Sequence, residues 1–149
     1  MKKHIRIAAV FVSLGALLTG LTGVTALPAS ANTRATVVEM WGYGNLGGDP
    51  RGIMVSERVL KNGKFIDGGE FDPLVDSHGN FSFHVPFTIN DANPQDTYEY
   101  EIRIFRGFNL FSIPGLACEV RNQQGQQIAH QEVINASRVS CVFKLNDLK

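Results

Sequence analysis

The chain has 149 residues, with 14 basic and 14 acidic side chains and a formal net charge of 0. Hydrophobic residues make up 44% of it and only 2 cysteines occur, so a packed core is expected and a dense disulfide scaffold is excluded. Beyond Lys2, Lys3 and Arg6 at the N-terminus the basic residues are unclustered, which argues against nucleic acid or an anionic membrane as partner, since both need a clustered positive patch.

In chain order, export comes first. Lys2, Lys3 and Arg6 precede an uncharged stretch from Ile7 to Leu21, and Ala29-Ser30-Ala31 offers the small-x-small pattern of a signal-peptidase site. Residues 1–31 are thus predicted to be a cleaved signal peptide. A retained anchor is the alternative, but a spanning helix needs about 20 apolar residues, and Gly15, Gly20, Gly23 and Pro28 break this one. No cysteine near the cleavage site permits a lipoprotein route. Residues 32–149 are expected to form one secreted domain, extracellular or periplasmic, without a transmembrane segment. Three of the 14 basic residues leave with the signal, so the net charge moves from 0 to −3.

The mature part reads with period two throughout. Thr36 to Trp41 alternates, and the glycine-rich run Trp41-Gly42-Tyr43-Gly44-Asn45-Leu46-Gly47-Gly48 is expected to leave regular strand. Ile53, Val55 and Val59 share a face interrupted by Glu57. Asn62-Gly63 is a hairpin turn, because both positions of such a turn need positive φ, and Lys64 to Asp67 returns from it. After the turn Asp76-Ser77-His78-Gly79-Asn80, residues Phe81, Phe83 and Val85 face one way until Pro86 interrupts the pairing. Thr88 to Asp96 reads as a loop. Thr97 to Phe105 alternates as a half-buried antiparallel strand, with Tyr98, Tyr100, Ile102 and Ile104 on its inner face. Ala117–Arg121, a turn at Gly125, Gln126–Ile134 and Arg138–Leu145 complete seven or eight strands. This is an all-β pattern, an antiparallel two-sheet β-sandwich. Cys118 and Cys141 fall on core faces and are expected to form a disulfide.

One run supports the same fold by resemblance. Val75-Asp76-Ser77-His78-Gly79-Asn80-Phe81-Ser82-Phe83-His84-Val85-Pro86 resembles the D-x-x-G-x-F-x-F-x-V-P hairpin of transthyretin-like and bacterial immunoglobulin-like sandwich modules. The resemblance covers about a dozen residues. It implies a Greek-key sandwich and carries over no functional residue.

Chemistry is sparse. There is no G-x-S-x-G elbow and the cysteines are assigned to each other, so no nucleophile is in evidence and the chain is read as a non-enzyme. His78, His84 and His130 sit in a turn or on polar strand faces, where solvated histidines are common. Asp67, Glu70, Asp72 and Asp76 lie close together with Gly68 and Gly69; they form a calcium candidate by ligand type but miss the D-x-D-x-D-G spacing, and solvated turn carboxylates are the alternative. Two aromatic segments are candidate contact surfaces: Trp41 with Tyr43, and Phe108, Leu110, Phe111 and Ile113 before the turn signal Pro114-Gly115; for Trp41 the favoured expectation is that it closes the core at a strand end. As a loop the second segment would expose a large apolar cluster. As a strand it would set Phe108, Leu110 and Ser112 against Asn109, Phe111 and Ile113 and bury both faces in part, which is the favoured expectation.

The leading functional expectation is a secreted binding module acting on a protein or carbohydrate through loops of a rigid sandwich. A secreted enzyme inhibitor presenting Ile113-Pro114-Gly115 is an alternative. A small metal-dependent hydrolase, built from converging histidines and the Asp67–Asp76 carboxylates, is another.

Overall fold

The computed structural model describes residues 35–49, 51–90 and 93–148; the predicted signal peptide lies outside them. Nine strands and one short 3-10 turn account for the regular structure of these residues: β1 Thr36–Asn45, β2 Met54–Lys61, β3 Lys64–Phe71, β4 Asn80–Ile89, β5 Thr97–Arg106, β6 Asn109–Leu110, β7 Ile113–Arg121, β8 Gln127–Ala136 and β9 Arg138–Lys144. They make two antiparallel sheets. The first runs β4-β1-β7-β8; in the second, of order β3-β2-β5, both β6 and β9 pair the far side of β5. The expected β-sandwich is present, with the two-residue β6 as a strand that sequence alone does not resolve.

The core lies where the period-two patterns placed it. Tyr98, Tyr100, Ile102 and Ile104 of β5 are buried, facing Val38 and Met40 of β1 and Leu116 and Val120 of β7 across the two sheets. The disulfide forms between Cys118 of β7 and Cys141 of β9, with a Cα separation of 5.9 Å. These strands belong to different sheets, so the bridge fastens one layer to the other.

Three local readings are corrected. The glycine-rich run does not end β1. Gly42 and Gly44 stay in strand and pair with Phe83 and Phe81 of β4. Cross-strand aromatic rings lie over both glycines: a Cβ on Gly42 would sit 2.1 Å from Phe83 Cζ, and one on Gly44 2.1 Å from Phe81 Cζ. The rings fill the space that side chains would otherwise occupy, a way of stabilising glycine within a strand. Second, Pro86 does not interrupt β4, which continues to Ile89 and pairs Pro86 with Glu39. β4 is an edge strand, where a missing N–H is tolerated on the open side; the expected loop therefore begins after Ile89 rather than at Thr88. Third, Pro114-Gly115 is not a turn. It opens β7, which is held between β1 and β8.

Candidate binding surface

The strand register assembles one ordered face. On the outer side of the first sheet, Trp41 of β1 pairs with His84 of β4 and with Glu119 of β7, and Glu119 pairs with His130 of β8. Directly paired residues share a face of a sheet, so these four form a row across all four strands. The next rows are Ser82, Tyr43, Ala117 and Glu132, then Asn80, Asn45, Gly115 and Ile134.

Trp41 is half-buried within its row. Its ring stacks on His84 with centroids 4.3 Å apart, lies parallel to Tyr43 at 6.3 Å, and has the Arg121 guanidinium 5.8 Å from its centroid. Glu39 binds the His84 ring, and Arg121 Nε donates to Glu119. The Tyr43 hydroxyl donates to Glu119 at 3.4 Å. Burial, and then the Glu119 charge, push the Tyr43 phenol above its ordinary range. With His84 stacked on its ring, Trp41 is engaged within this ladder and presents no open flat platform.

The third row leads into a depression. An open hollow of about 780 Å³ is lined by Tyr43, Asn45, Leu74, Asn80, Ala117 and Glu132, with Gly44 and Gly115 also in its wall. Its size falls within the range of small-ligand sites. Asn45 and Asn80 are joined by a side-chain hydrogen bond, and Asn45 also accepts from the Gly47 N–H at 2.7 Å. Asp76 accepts from the backbone N–H groups of His78 and Asn80, each at 2.8 Å. Hydrogen bonds from Asn80, backbone first, hold its carboxyl below the usual range.

The same end of the sandwich carries the second aromatic segment. Here β1, β3, β5 and β8 end and β2, β4, β7 and β9 begin. Among the described residues eight large apolar side chains are exposed, and four of them stand on the connections at this end: Leu74 (93%), Val75, Phe108 (103%) and Leu110. Phe108 tips the turn between β5 and β6. A smaller hollow of about 380 Å³, bounded by Ile53, Pro73 and Gly107, lies one residue from both Leu74 and Phe108. These connections are tied down. Arg106 donates to Asp49 at 2.8 Å and its guanidinium covers the Phe111 ring at 3.6 Å. Arg51 also donates to Asp49, and this bond leads the hydrogen bonds that draw the carboxyl far below its ordinary range.

The chain matches no family model, no curated protein and no solved structure.

The sequence-predicted residues therefore separate. Trp41, expected to close the core, lies instead with Tyr43 on the outer sheet face, and Phe108 and Leu110, expected to be buried, project from the adjoining end. Phe111 is half-buried beneath Arg106, and Ile113 leaves the candidate surface altogether because it is 0% exposed in the core. A turn at Gly107-Phe108, the short β6 and the start of β7 at Ile113 divide the segment, in place of one continuous strand. The calcium candidates Asp67, Glu70, Asp72 and Asp76 are strung along β3 and the following connection; among the described residues no three His, Cys, Asp or Glu side chains are placed to share a metal. Asp67 instead accepts from the Gly68 N–H at 2.8 Å. His84 and His130 share a row but lie three strands apart, roughly 14 Å at ordinary strand spacing. Sequence reasoning missed Glu39, Glu119, Arg121 and Glu132. The i, i+2 spacing of Trp41 and Tyr43 signalled a shared face, but nothing local signalled which strands would lie beside it.

Proposed function

We infer that this chain is a secreted binding module whose contact surface is the end of the sandwich carrying Leu74, Val75, Phe108 and Leu110. The observation that carries this reading is the exposure of Phe108 and Leu74, 103% and 93%, at one end of the sandwich, with Phe108 on a turn held by the Asp49–Arg106 pair. A fully exposed aromatic on an anchored turn contributes nothing to folding, whereas large apolar side chains of this kind are common anchors in binding. The hollow beside Leu74 supplies Tyr43, Asn45 and Glu132 as polar groups that orient what is bound. The partner class that suits this mix is an apolar protein segment with donor groups for Glu132. Export is supported by the basic and apolar N-terminus and by the disulfide, which suits an oxidising compartment. Among the described residues no helix is long and apolar enough to cross a membrane.

Panning of a displayed peptide library against residues 32–149 tests the reading. Enriched peptides should be apolar and should lose at least about tenfold in affinity against Phe108→Ser with Leu74→Ser, the cost of removing one hot-spot anchor. Both substitutions should leave the melting temperature unchanged. Enriched peptides that bind the double variant as tightly as the parent, or no enrichment at all, would reject this surface. The inhibitor alternative loses its proposed loop, because Ile113-Pro114-Gly115 is strand.

A further inference from the structure

The arginines of the mature part are scattered in sequence, but register gathers three of them on the outer face of the second sheet. Arg103 of β5 pairs directly with Arg138 of β9, and Arg58 of β2 pairs with Glu101, two residues back along β5. Directly paired residues share a face with their Cβ atoms about 5 Å apart, so three guanidiniums surround one carboxylate. The Glu101 side chain is 5% exposed; its Oε1 accepts from Arg103 Nε at 2.7 Å and from Arg58 Nη1 at 3.3 Å, and Arg138 Nη1 lies 3.5 Å from its Oε2. Glu70 and Glu99 stand on the same face, opposite Ser56 and Val142. Among the described residues neither forms an ion pair with these arginines.

Three cations on one carboxylate leave two positive charges in excess. Arg103 and Arg138 are a directly opposed like-charge pair, which costs stability in a sheet. Both oxygens of Glu101 are engaged, yet donors remain. Arg103 binds it through Nε, which leaves its two terminal nitrogens, and the Arg138 side chain is 63% exposed. Arg58 is steadied by the Phe65 ring, 5.4 Å from its guanidinium. The planar fork of an arginine matches the oxygens of a phosphate or sulfate group. We propose that Arg103 and Arg138, with Arg58 behind them, bind a tetrahedral oxyanion, the sulfate or phosphate group of a ligand. The anion sits toward β9, because on the β2 side Glu70 lines the hollow of about 350 Å³ beside Arg58 and would repel it. The site adjoins the apolar end without depending on it: Phe105, two residues beyond Arg103, pairs with Leu110.

Thermal melting of residues 32–149, disulfide intact, in chloride, sulfate or phosphate at equal ionic strength tests this. A ligand that binds only the folded state raises its melting temperature, by about 5 °C at a tenfold excess over Kd for a domain of this size. Sulfate and phosphate also stabilise proteins in general by exclusion from their surface, and variants separate the two effects. Arg138→Gln should lose the site's share of the rise and should melt no lower than the parent in chloride, because it relieves the like-charge pair. Arg103→Gln should lose that share too. Lys144→Gln, the same charge change on the same strand and face, should keep the full response. A response to both anions marks their shared geometry, whereas a response to one alone names the ligand group as sulfate or as phosphate. An equal rise in the parent and in Arg138→Gln, or no rise in the parent, overturns the proposal. So does an Arg138→Gln variant that melts well below the parent in chloride, since Arg138 then serves only to hold Glu101.

Discussion

Gly44→Ala should lower the melting temperature, although alanine is ordinarily the better strand residue. Two opposed effects decide the sign. Replacing glycine reduces the entropy of the unfolded chain and alone would stabilise by about 0.5–1 kcal/mol. Against this, the new Cβ would lie 2.1 Å from Phe81 Cζ and 3.0 Å from Ile113 Cδ1. Phe81 is 4% exposed and Ile113 0%, so neither can swing into solvent, and overpacking of this kind costs about 1–3 kcal/mol. The net loss is about 1–2 kcal/mol, a fall of roughly 4–8 °C for a domain of this size. Differential scanning calorimetry of the non-reduced domain reads it. In a Phe81→Leu background the clash is relieved, and the same alanine should be neutral or stabilising, a coupling that a double-mutant cycle isolates. Gly42→Ala should cost less than Gly44→Ala, because Phe83 is only half-buried and its ring can yield. If Gly44→Ala raises the melting temperature in the parent background, the Phe81 ring does not occupy the space over β1 and the account of this strand fails.

Replacing both Cys118 and Cys141 by alanine should cost about 3 kcal/mol for a loop of 23 residues, or about 12 °C in melting; melts of the parent with and without reductant should reproduce the difference. Glu57→Gln should stabilise at pH 7. Burial raises the Glu57 carboxyl above its ordinary value of 4.5, so its ionised form is a cost in the folded state. That cost is absent below the unfolded value and grows as pH rises through the folded one. The gain should therefore vanish by about pH 4, and melts across that window would show it, while the glutamine oxygen still accepts from the Tyr100 hydroxyl, as Glu57 does at 3.3 Å. Gly63→Ala should cost about 1 kcal/mol from backbone strain alone, because Gly63 has φ 77° and open space where a Cβ would go; urea unfolding would measure it.

The fold was largely legible because sheets are written in period two. The inward residues of β5 and β9 could be named one by one, and Asn62-Gly63 turned where its dipeptide required, with φ 51° and 77°. The failures share a cause. Gly42, Gly44, Pro86 and Pro114 are breakers when judged locally, and each is accommodated by something distant in sequence: the Phe83 and Phe81 rings, the open edge of β4, and a place for β7 between β1 and β8. Glu57 broke an apolar face for a like reason, since the Tyr100 hydroxyl on the adjacent strand provides its partner.

The candidate surface was legible only in pieces, because register creates it. His84, Trp41, Glu119 and His130 are unremarkable one at a time and are spread over four strands; only the pairing of β4, β1, β7 and β8 sets them in line. A shift of one residue in any ladder would turn a member of the row to the core face. Period two tells which residues share a face of one strand but not which strand lies beside it. Phe108 and Leu110 were no more legible. Alternation along one strand would bury part of both faces, whereas a turn at Gly107-Phe108 and the two-residue β6 leave Phe108 and Leu110 exposed and return the chain to the core at Ile113. What sequence lacked was the anchor: Asp49 reaches Arg106 across 57 residues, and that contact holds the apolar tip in place.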